Sequence, residues 1–432
     1  MTKRMRTCFS LAVSLIVAAN VFAQALPTAL PADEGFSPER LAYIDKFYSD
    51  KIDHGDLAGI VTLVSRHGKI VHFSALGYAD IEKQLKMQKD TIFRQYSMTK
   101  AITSTALMTL YEQGRFQLDD PLSKYLPEFA NLRVLRNPDG PLDETVALER
   151  PPTIHDIMRH TAGFTHGLDQ SKFDEQYVKA DLFGLDVSLE EMTKRLSQIP
   201  LRYQPGTKFV YSVGPDVQAR LVEVLSGMPI DEYLQKQIFG PLGMKDAGYW
   251  LDSAKADRLA TVYWSKDGKL TPIDEAHGRP GDMWLYQPWS VNSYTEKHKH
   301  MGGSYGLVAT AEDYWRFAQM ILDGGQLNGM RILSPQTVQF MGQDHLKPAG
   351  IPDLDKDNGF GLGFAVMQNE AAAGGLGSVG GLSWGGAATT TFWIDPKEDM
   401  VVIAMTQHMG APAASDAVGH LQTLVYSALM DK

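Results

Sequence analysis

Strand-like segments lie near both ends of the chain, whereas the stretch between them shows helical periodicity. Near the N-terminus, the apolar runs 60–64 and 70–73 flank a His67-Gly68 turn, which is typical of a β-hairpin. Three more strand-like runs follow residue 302, at 364–367, 388–394 and 400–406. Strands from the two ends can pair into one antiparallel sheet. The first and last parts of the chain are therefore expected to lie side by side.

The helical segments are marked by apolar residues that recur at the spacing of an amphipathic helix. They cover 97–113, 153–160, 188–199, 216–226, 230–238, 310–322 and 412–430. Another helix is expected from Pro38, with Ser37 as its cap. This order predicts an α/β (α+β) fold, in which an antiparallel sheet flanked by helices (about 37–95 and 302–432) carries an interleaved all-helical region (about 97–300). An active site is expected in the cleft between the two parts.

The first 23 residues have the pattern of a signal peptide. Lys3, Arg4 and Arg6 precede a short apolar run at 9–17, and small residues before Gln24 offer a cleavage site after Ala23. The apolar run is too short to span a bilayer comfortably. We therefore expect export to the periplasm or the medium, with residues 24–432 as a single domain and no stable membrane anchor.

Charge and cysteine content exclude several classes of protein. The formal net charge is −10, and it becomes −13 when the three N-terminal cations are removed. No basic run gives the chain an electrostatic footprint for nucleic acid. The single cysteine, Cys8, lies in the expected signal peptide, so the mature chain would have no disulfide, cysteine nucleophile or thiolate metal site.

A serine and a lysine three residues apart open one of the apolar helices. In Ser97-Met98-Thr99-Lys100 the two polar side chains lie on one helical face, so the lysine amine can reach the serine hydroxyl. Serine is a poor nucleophile unless a base lies beside it. The helix start also presents backbone N–H groups that favour negative charge. The pattern predicts a nucleophile at Ser97, with an N-cap serine beside a surface lysine as the alternative interpretation.

Five segments, taken in order, resemble the serine β-lactamase and penicillin-binding-protein superfamily in its class C-like branch, and most closely the branch's carboxylesterases (family VIII-type). They span most of the chain from Ser37 onward. These segments are 93–100 around Ser97, 153–163 ending in His160-Thr161-Ala162-Gly163, 205–212 with Tyr211, 302–310, and Trp384-Gly385-Gly386. The resemblance implies the β-lactamase-like fold and an acyl-enzyme mechanism without metal or cofactor.

The resemblance also implies a role for each matching residue. Ser97 would attack the substrate carbonyl, and Lys100 would help to take the serine proton. Tyr211 would be the second base and would later activate the deacylating water. The backbone N–H groups of Ser97 and Ala387 would form the oxyanion hole, with Ala387 on the strand that follows Trp384. An amine and a phenol in contact can share one proton, which fits these roles.

Two positions depart from the usual motifs of this branch. Val213 replaces an Asn that would bind the amide of a β-lactam, and Trp384 replaces a Lys or His that would meet an anionic carboxylate. Both changes favour neutral, apolar substrates, and the branch's esterases carry Trp-Gly-Gly at this place. Val213, Trp384, Gly385 and Gly386 are therefore expected to bind substrate. The predicted function is an exported serine hydrolase that cleaves a small carboxylic ester.

Other functions are also compatible with these motifs. A class C-like β-lactamase or D-amino-acid peptidase is the first alternative, and a non-catalytic binding protein of the same fold is the second. Ser304 and Ser383 each sit in a Gly-x-Ser-x-Gly match, but neither has the strand before and helix after that a nucleophile elbow requires. An acyltransferase, which would transfer the acyl group to an alcohol in place of water, is a further alternative.

Histidine and aromatic clusters give weaker signals. His155 and His160 lie off a common helical face, so they do not predict a metal site, and His298-Lys299-His300 is expected to be a solvated loop. The aromatic cluster of 283–289 could line an acyl or alcohol pocket or could simply cover the helical region.

Overall fold

The central sheet of the protein joins strands from both ends of the chain. The structure, a computed structural model, describes residues 26–167, 171–274, 294–352, 354, 358–410 and 412–431. The sheet strands are β1 (Gly59–Arg66), β2 (Lys69–Asp80), β3 (Leu85–Lys86), β4 (Asn358–Phe360), β5 (Ala365–Met367), β6 (Leu382–Gly386), β7 (Thr390–Asp395) and β8 (Met400–Met405). The expected signal peptide and the aromatic cluster of 283–289 lie outside the described residues.

The sheet confirms that the two ends of the chain pair. Its strand order is β4-β5-β6-β7-β8-β1-β2-β3, and all neighbours are antiparallel. The pair β1 and β8 joins the N-terminal strands to the C-terminal strands, with Val61 opposite Met405 at one end and Arg66 opposite Met400 at the other. Every residue of these two strands is buried, as expected for strands covered on both faces.

Helices cover both faces of the sheet. Other helices make up most of the chain between the N-terminal and the C-terminal strands. Those described are α1 (Pro38–Leu41), α2 (Tyr43–Asp53), α3 (Thr99–Glu112), α4 (Ile154–Met158), α5 (Glu175–Lys179), α6 (Leu189–Leu196), α7 (Gly214–Ser226), α8 (Ile230–Leu234), α9 (Gly240–Leu242), α10 (Ala311–Leu322), α11 (Pro335–Met341), α12 (Glu370–Ala373) and α13 (Pro412–Ala428). Helix α10 packs on one face, where Tyr314 meets Phe392 with ring centroids 4.9 Å apart. Helices α1, α2 and α13 share an apolar cluster on the other face. Within the described residues, no helix is both long and apolar enough to cross a membrane.

The middle region is mostly helical but not entirely so, which corrects the expectation of an all-helical region. Short strands occur there at Val134–Leu135, Thr145–Val146, Tyr263–Lys266 and Lys269–Pro272. The last two form a hairpin whose turn residues, Asp267 and Gly268, both have positive φ. Such a turn joins strands tightly, and the Asp-Gly pair is a known signal for it.

Two predicted boundaries near the site also differ. The helix expected at 97–113 begins with a 3₁₀ turn, Tyr96–Met98, before α3. The strand expected at 388–394 is observed as β7, and Trp384-Gly385-Gly386 forms the separate strand β6 that pairs with it. The glycines weaken the strand signal in the sequence, because they are depleted in strands.

Candidate active site

Ser97 and Lys100 meet at the start of α3. The Lys100 amine donates to Ser97 Oγ at 3.0 Å and to the carbonyl oxygen of Ser304 at 2.7 Å. Ser97 is 7% exposed and Lys100 2% exposed. The three-residue spacing thus places both groups on one face of the turn, as the pattern predicts. A hydroxyl in contact with a buried amine is the arrangement that nucleophilic catalysis by serine requires.

Burial changes the charge state of the Lys100 amine. Desolvation lowers its pKa from 10.5 to about 7, although the negative charge of Asp216 acts in the opposite direction. At neutral pH a substantial fraction of the amine is therefore neutral. A neutral amine can accept a proton, whereas an ordinary surface lysine at this pH cannot.

Tyr211 completes the group around the serine. The Lys100 nitrogen lies 4.6 Å from the centre of the Tyr211 ring. Burial raises the pKa of Tyr211 above its ordinary 10.0, while hydrogen bonds to Ser97 and Trp384 partly offset that effect. The phenol is therefore neutral at neutral pH. A neutral phenol in this position can both donate and accept a proton.

Two buried histidines hold Tyr211 in place. The ring of His166 stacks on Tyr211 with centroids 4.9 Å apart and planes within 7°, and His160 lies 5.0 Å away. His160 Nδ1 accepts the backbone N–H of Ser212 at 3.1 Å, which anchors the residue next to Tyr211. Burial lowers the pKa of both histidines, and the positive charge of Lys100 lowers it further. They are therefore neutral supports for the phenol.

The backbone around the nucleophile is held tightly. Tyr96, directly before Ser97, has a φ of 45°, which is uncommon for a residue with a side chain and costs about 1–3 kcal/mol. Gln95 fixes the approach to this turn: its backbone N–H donates to Leu307 at 2.8 Å and its side-chain amide donates to Ala309 at 3.1 Å. Strain of this kind is found where neighbouring structure over-determines a functional residue.

Strand β6 brings the Trp384-Gly385-Gly386 segment against the nucleophile. A Cβ at Gly386 would overlap the carbonyl oxygen of Gln95, so only glycine allows this approach. Ala387, expected on a strand, instead lies in an exposed turn directly after β6. The reason is the tight connection between β6 and β7, in which Gly386 pairs with Thr390.

Val213 does not occupy the expected place. It caps the N-terminus of α7, is fully buried, and belongs to the main apolar core. Its N–H donates to the Thr165 carbonyl at 3.1 Å. The turn into α7 thus directs the side chain into the protein, so the expectation that Val213 binds substrate is wrong in this structure.

Trp384 is half-buried and forms an apolar wall beside Tyr211. The two ring centroids lie 5.5 Å apart, and the Phe360 ring lies 5.4 Å from that of Trp384. The Phe209 and Phe360 ring centroids lie 5.3 Å apart. Trp384, Phe360 and Phe209 belong to one apolar cluster with buried Leu346 and Ile351. The wall offers carbon surface next to the nucleophile.

Comparison with known proteins places the chain in a family. A family profile described as Beta-lactamase matches residues 44–425. The chain belongs to the beta-lactamase family. It is 33% identical to protein Rv1367c of Mycobacterium tuberculosis over 85% of this chain and 91% of that one. It is 30% identical to the esterase EstB of Burkholderia gladioli, over 88% and 93% of the two chains.

A solved structure gives the same result. EstCE1, described as a hydrolase with promiscuous acyltransferase activity, superposes with a TM-score of 0.77 at 27% identity, over 90% of this chain and 99% of that one. The fold and these relatives show that the chain is a serine hydrolase of the beta-lactamase family, and its esterase relatives support ester hydrolysis in general.

The other candidate serines of this family member have different surroundings. Ser304 is fully buried, and its carbonyl binds Lys100. Ser383 lies within β6 opposite Trp393. Neither lies in the strand–turn–helix arrangement of a nucleophile elbow.

Sequence reasoning missed or misjudged several residues that matter to the site, among them His166, Asp216 and His300. Asp216 is fully buried and accepts the Ser304 N–H at 3.0 Å, and only its place in the helix after Tyr211 could have drawn attention to it. His300, expected in a solvated loop, is buried and hydrogen-bonded to the Val187 carbonyl at 3.0 Å.

Proposed function

We propose that this chain is an exported carboxylesterase that forms an acyl-enzyme on Ser97. The observation that carries the proposal is the buried Lys100 amine, 3.0 Å from Ser97 Oγ, beside an apolar wall in place of a charged one. Its substrate is a small neutral ester.

Acylation begins with proton transfer from Ser97 to the neutral Lys100 amine. The serine oxygen then forms a bond to the ester carbonyl, and the carbonyl oxygen becomes an oxyanion. The N–H groups of Ser97 and Ala387 are proposed to bind that oxyanion, a contribution of about 2.7–4 kcal/mol for each donor. As the bond to the alcohol breaks, Lys100 returns the proton to it, with Tyr211 as the relay. In deacylation a water molecule gives a proton to Lys100 through Tyr211 and bonds to the acyl carbon. The bond between that carbon and Ser97 Oγ then breaks, Ser97 takes the proton back from Lys100, and the acid is released.

The apolar wall supports an ester over a β-lactam. Trp384 provides no cation for the carboxylate of a β-lactam, and a buried polar atom left without a partner costs about 1–3 kcal/mol. A short alkyl ester has no such group, and it gains about 25 cal/mol for each Å² of apolar surface buried against the indole and phenyl rings. One unpaired group thus corresponds to roughly a tenfold to hundredfold preference.

Export is proposed from the sequence of residues 1–23. Lys3, Arg4, Arg6 and the apolar run that follows support recognition as a signal peptide, with cleavage after Ala23 and a periplasmic or secreted location. Protein recovered from the periplasm of a Gram-negative host should begin at Gln24. Recovery of the full chain with Met1 in the cytoplasm would contradict export without affecting the ester chemistry.

A substrate panel tests the proposal. The mature protein is assayed with p-nitrophenyl esters of increasing acyl length and with a chromogenic cephalosporin. We expect kcat/KM for the best short ester to exceed that for the cephalosporin by about 10²-fold, the upper range for one unpaired group in a buried site. A serine-directed phosphonate should add one label, on Ser97.

Two variants serve as controls. Ser97→Ala should lose both the label and turnover. Trp384→Lys should reduce the ratio of kcat/KM for the ester to kcat/KM for the cephalosporin, because the lysine supplies a cation for the β-lactam carboxylate. Equal turnover of the cephalosporin by the unmodified protein would favour the β-lactamase or peptidase alternative, and a label on Ser304 or Ser383 would overturn the assignment of the nucleophile.

A further inference from the structure

Asp216 is a buried carboxylate that the mechanism above does not use. It occupies the third position of α7 and is 0% exposed. Its Oδ1 accepts the Ser304 N–H at 3.0 Å, and Oδ2 has no hydrogen-bond partner among the described residues. A buried carboxylate with so few partners costs free energy of folding, so stability does not explain its presence.

Ser304 connects this carboxylate to the catalytic amine. Its N–H binds Asp216, and its carbonyl oxygen accepts from Lys100 at 2.7 Å. The position of the Lys100 amine is therefore fixed by two acceptors, Ser97 Oγ and the Ser304 carbonyl. Asp216 determines where the second of these lies.

Close packing makes the connection rigid. A Cβ at Gly303 would overlap the carbonyl oxygen of Pro215, in the first turn of α7, and a Cβ at Gly302 would lie 3.0 Å from Asp216 Oδ1. The Gly303 carbonyl accepts the Thr103 hydroxyl of α3 at 2.9 Å. The glycine segment is thus held between α7, which follows Tyr211, and α3, which carries Lys100.

The groups that face Asp216 leave Lys100 as its charge partner. Burial lowers the pKa of His300 and raises the pKa values of Tyr211, Tyr249 and Tyr305, so these four are neutral at neutral pH. His160 and His166, which face Lys100 from the other side, are neutral for the same reason. An opposite charge favours the protonated amine, so Asp216 opposes the effect of burial on Lys100.

We propose that Asp216 is a positioning residue for Lys100: through Ser304 it orients the amine toward Ser97, and its negative charge keeps part of the amine protonated. The inference rests on the proposed function in one respect, namely that Lys100 is the base. The protonated fraction matters because the same group must return a proton to the leaving alcohol.

The test is Asp216→Asn, which keeps an oxygen to accept the Ser304 N–H and removes the charge. The pKa of Lys100 is measured directly by NMR of ¹³C-labelled lysine side chains, with Lys100→Arg to assign the signal. We expect the pKa to fall by about half a unit or more, since a nearby opposite charge is removed. The acid limb of kcat/KM for the ester should move to lower pH by the same amount.

Asp313→Asn is the matched control. Asp313 is also a buried carboxylate at the third position of a helix, α10, where it accepts from the Thr310 backbone. This variant should leave the pKa of Lys100 and the acid limb unchanged. Asp216→Ala, which removes the acceptor as well as the charge, should in addition lower kcat, because Ser304 is no longer held.

The outcomes separate this inference from the proposed function. An unchanged Lys100 pKa in folded Asp216→Asn would overturn the role of Asp216, even if the unmodified enzyme cleaves esters. A lowered pKa in a protein that cleaves no ester would uphold the role and refute the esterase. If Asp216→Asn does not fold, Asp216→Ser, whose smaller side chain also removes the charge, carries the same prediction for the pKa of Lys100.

Discussion

Ionisable groups at the two ends of the central sheet differ in how burial and partners affect their charge. Near Gly386 and Met405, at the catalytic end, burial lowers the pKa of Lys100 and of the two histidines around Tyr211. At the other end, Arg66 is buried with four acceptors: the carbonyls of Glu34 and Glu398 and the carboxylates of Glu398 and Asp431. Glu34 accepts from Lys69 and His67, each at 2.7 Å, and these bonds lower its pKa.

This difference distinguishes ionic groups that stabilise the fold from ionisable groups that take part in a reaction. At the Arg66 end the carboxylates of Glu34 and Asp431 have cationic partners, which lower their pKa values and favour their ionised forms in the folded state. At the catalytic end Lys100, His160 and His166 are desolvated with few partners, which disfavours their ionised forms and costs stability. Such an arrangement persists where a reaction needs it. Substitutions at the two ends should therefore change different properties.

The largest expected effect is the loss of activity in Lys100→Met. The side chain keeps its length but cannot accept a proton, so kcat/KM should fall by about 10²-fold or more, as for loss of a general base. Stability should fall less than in a variant at the Arg66 end, because loss of the desolvated amine offsets part of the cost of leaving the Ser304 carbonyl unpaired. The folded-state pKa of Lys100, about 7, lies below its ordinary 10.5, so the amine destabilises the fold fully below about pH 7, and this cost is lost as pH rises toward 10.5.

Tyr211→Phe is the companion to this variant. It removes the relay hydroxyl and should also lower kcat/KM, and the double variant should be little worse than the poorer single one, because both act on one proton. Additive losses in ester assays would show that the two residues do not work together. A larger fall in Tm for Lys100→Met than for Arg66→Met would contradict the contrast between the two ends.

An intermediate effect is expected for Arg66→Met, at the other end of the sheet. Its removal leaves buried acceptors unpaired, which should reduce the free energy of unfolding by about 1–3 kcal/mol. The catalytic groups are untouched, so kcat/KM should stay within experimental error. Urea unfolding and the ester assay measure the two quantities. Lys46→Met is the control: its pair with Asp50 is exposed, and the expected change is below about 1 kcal/mol.

The smallest effect concerns Glu34. Its pKa in the folded state is lowered from 4.5, so it contributes stability above that pH and the contribution is lost as pH falls through the folded-state pKa. Glu34→Gln should therefore make acid unfolding less steep while slightly lowering stability at neutral pH. Tm measured from pH 7 to pH 3 tests this, with exposed Glu232→Gln as control. An unchanged acid profile would show that Glu34 is not stabilised by its partners.

Sequence reasoning predicted the features of the molecule that depend on local sequence patterns. The pairing of the chain's two ends followed from the positions of the strand-like runs, and the contact between Ser97 and Lys100 followed from their spacing. Tyr211 was placed by motif resemblance, since nothing local distinguishes it from any half-buried tyrosine. The fold and these contacts could therefore be predicted.

The remaining features depend on three-dimensional packing. Asp216 and His166 reach the site from separate segments, and neither has a periodic or spaced signature. The direction of Val213 is decided by the backbone turn into α7, and the start of α3 by the positive φ of Tyr96. A residue's type does not report its dihedral angles, so these details required coordinates.

The pairing of β1 with β8 also has a consequence for synthesis. Strand β1 is made early, but its partner emerges from the ribosome only after nearly the whole polypeptide has been translated. Contacts between such distant segments form slowly, because a long loop must close first. Until then the hairpin of β1 and β2 has an open edge that can pair with another chain. The cleft therefore forms only after strands from both ends of the chain have paired.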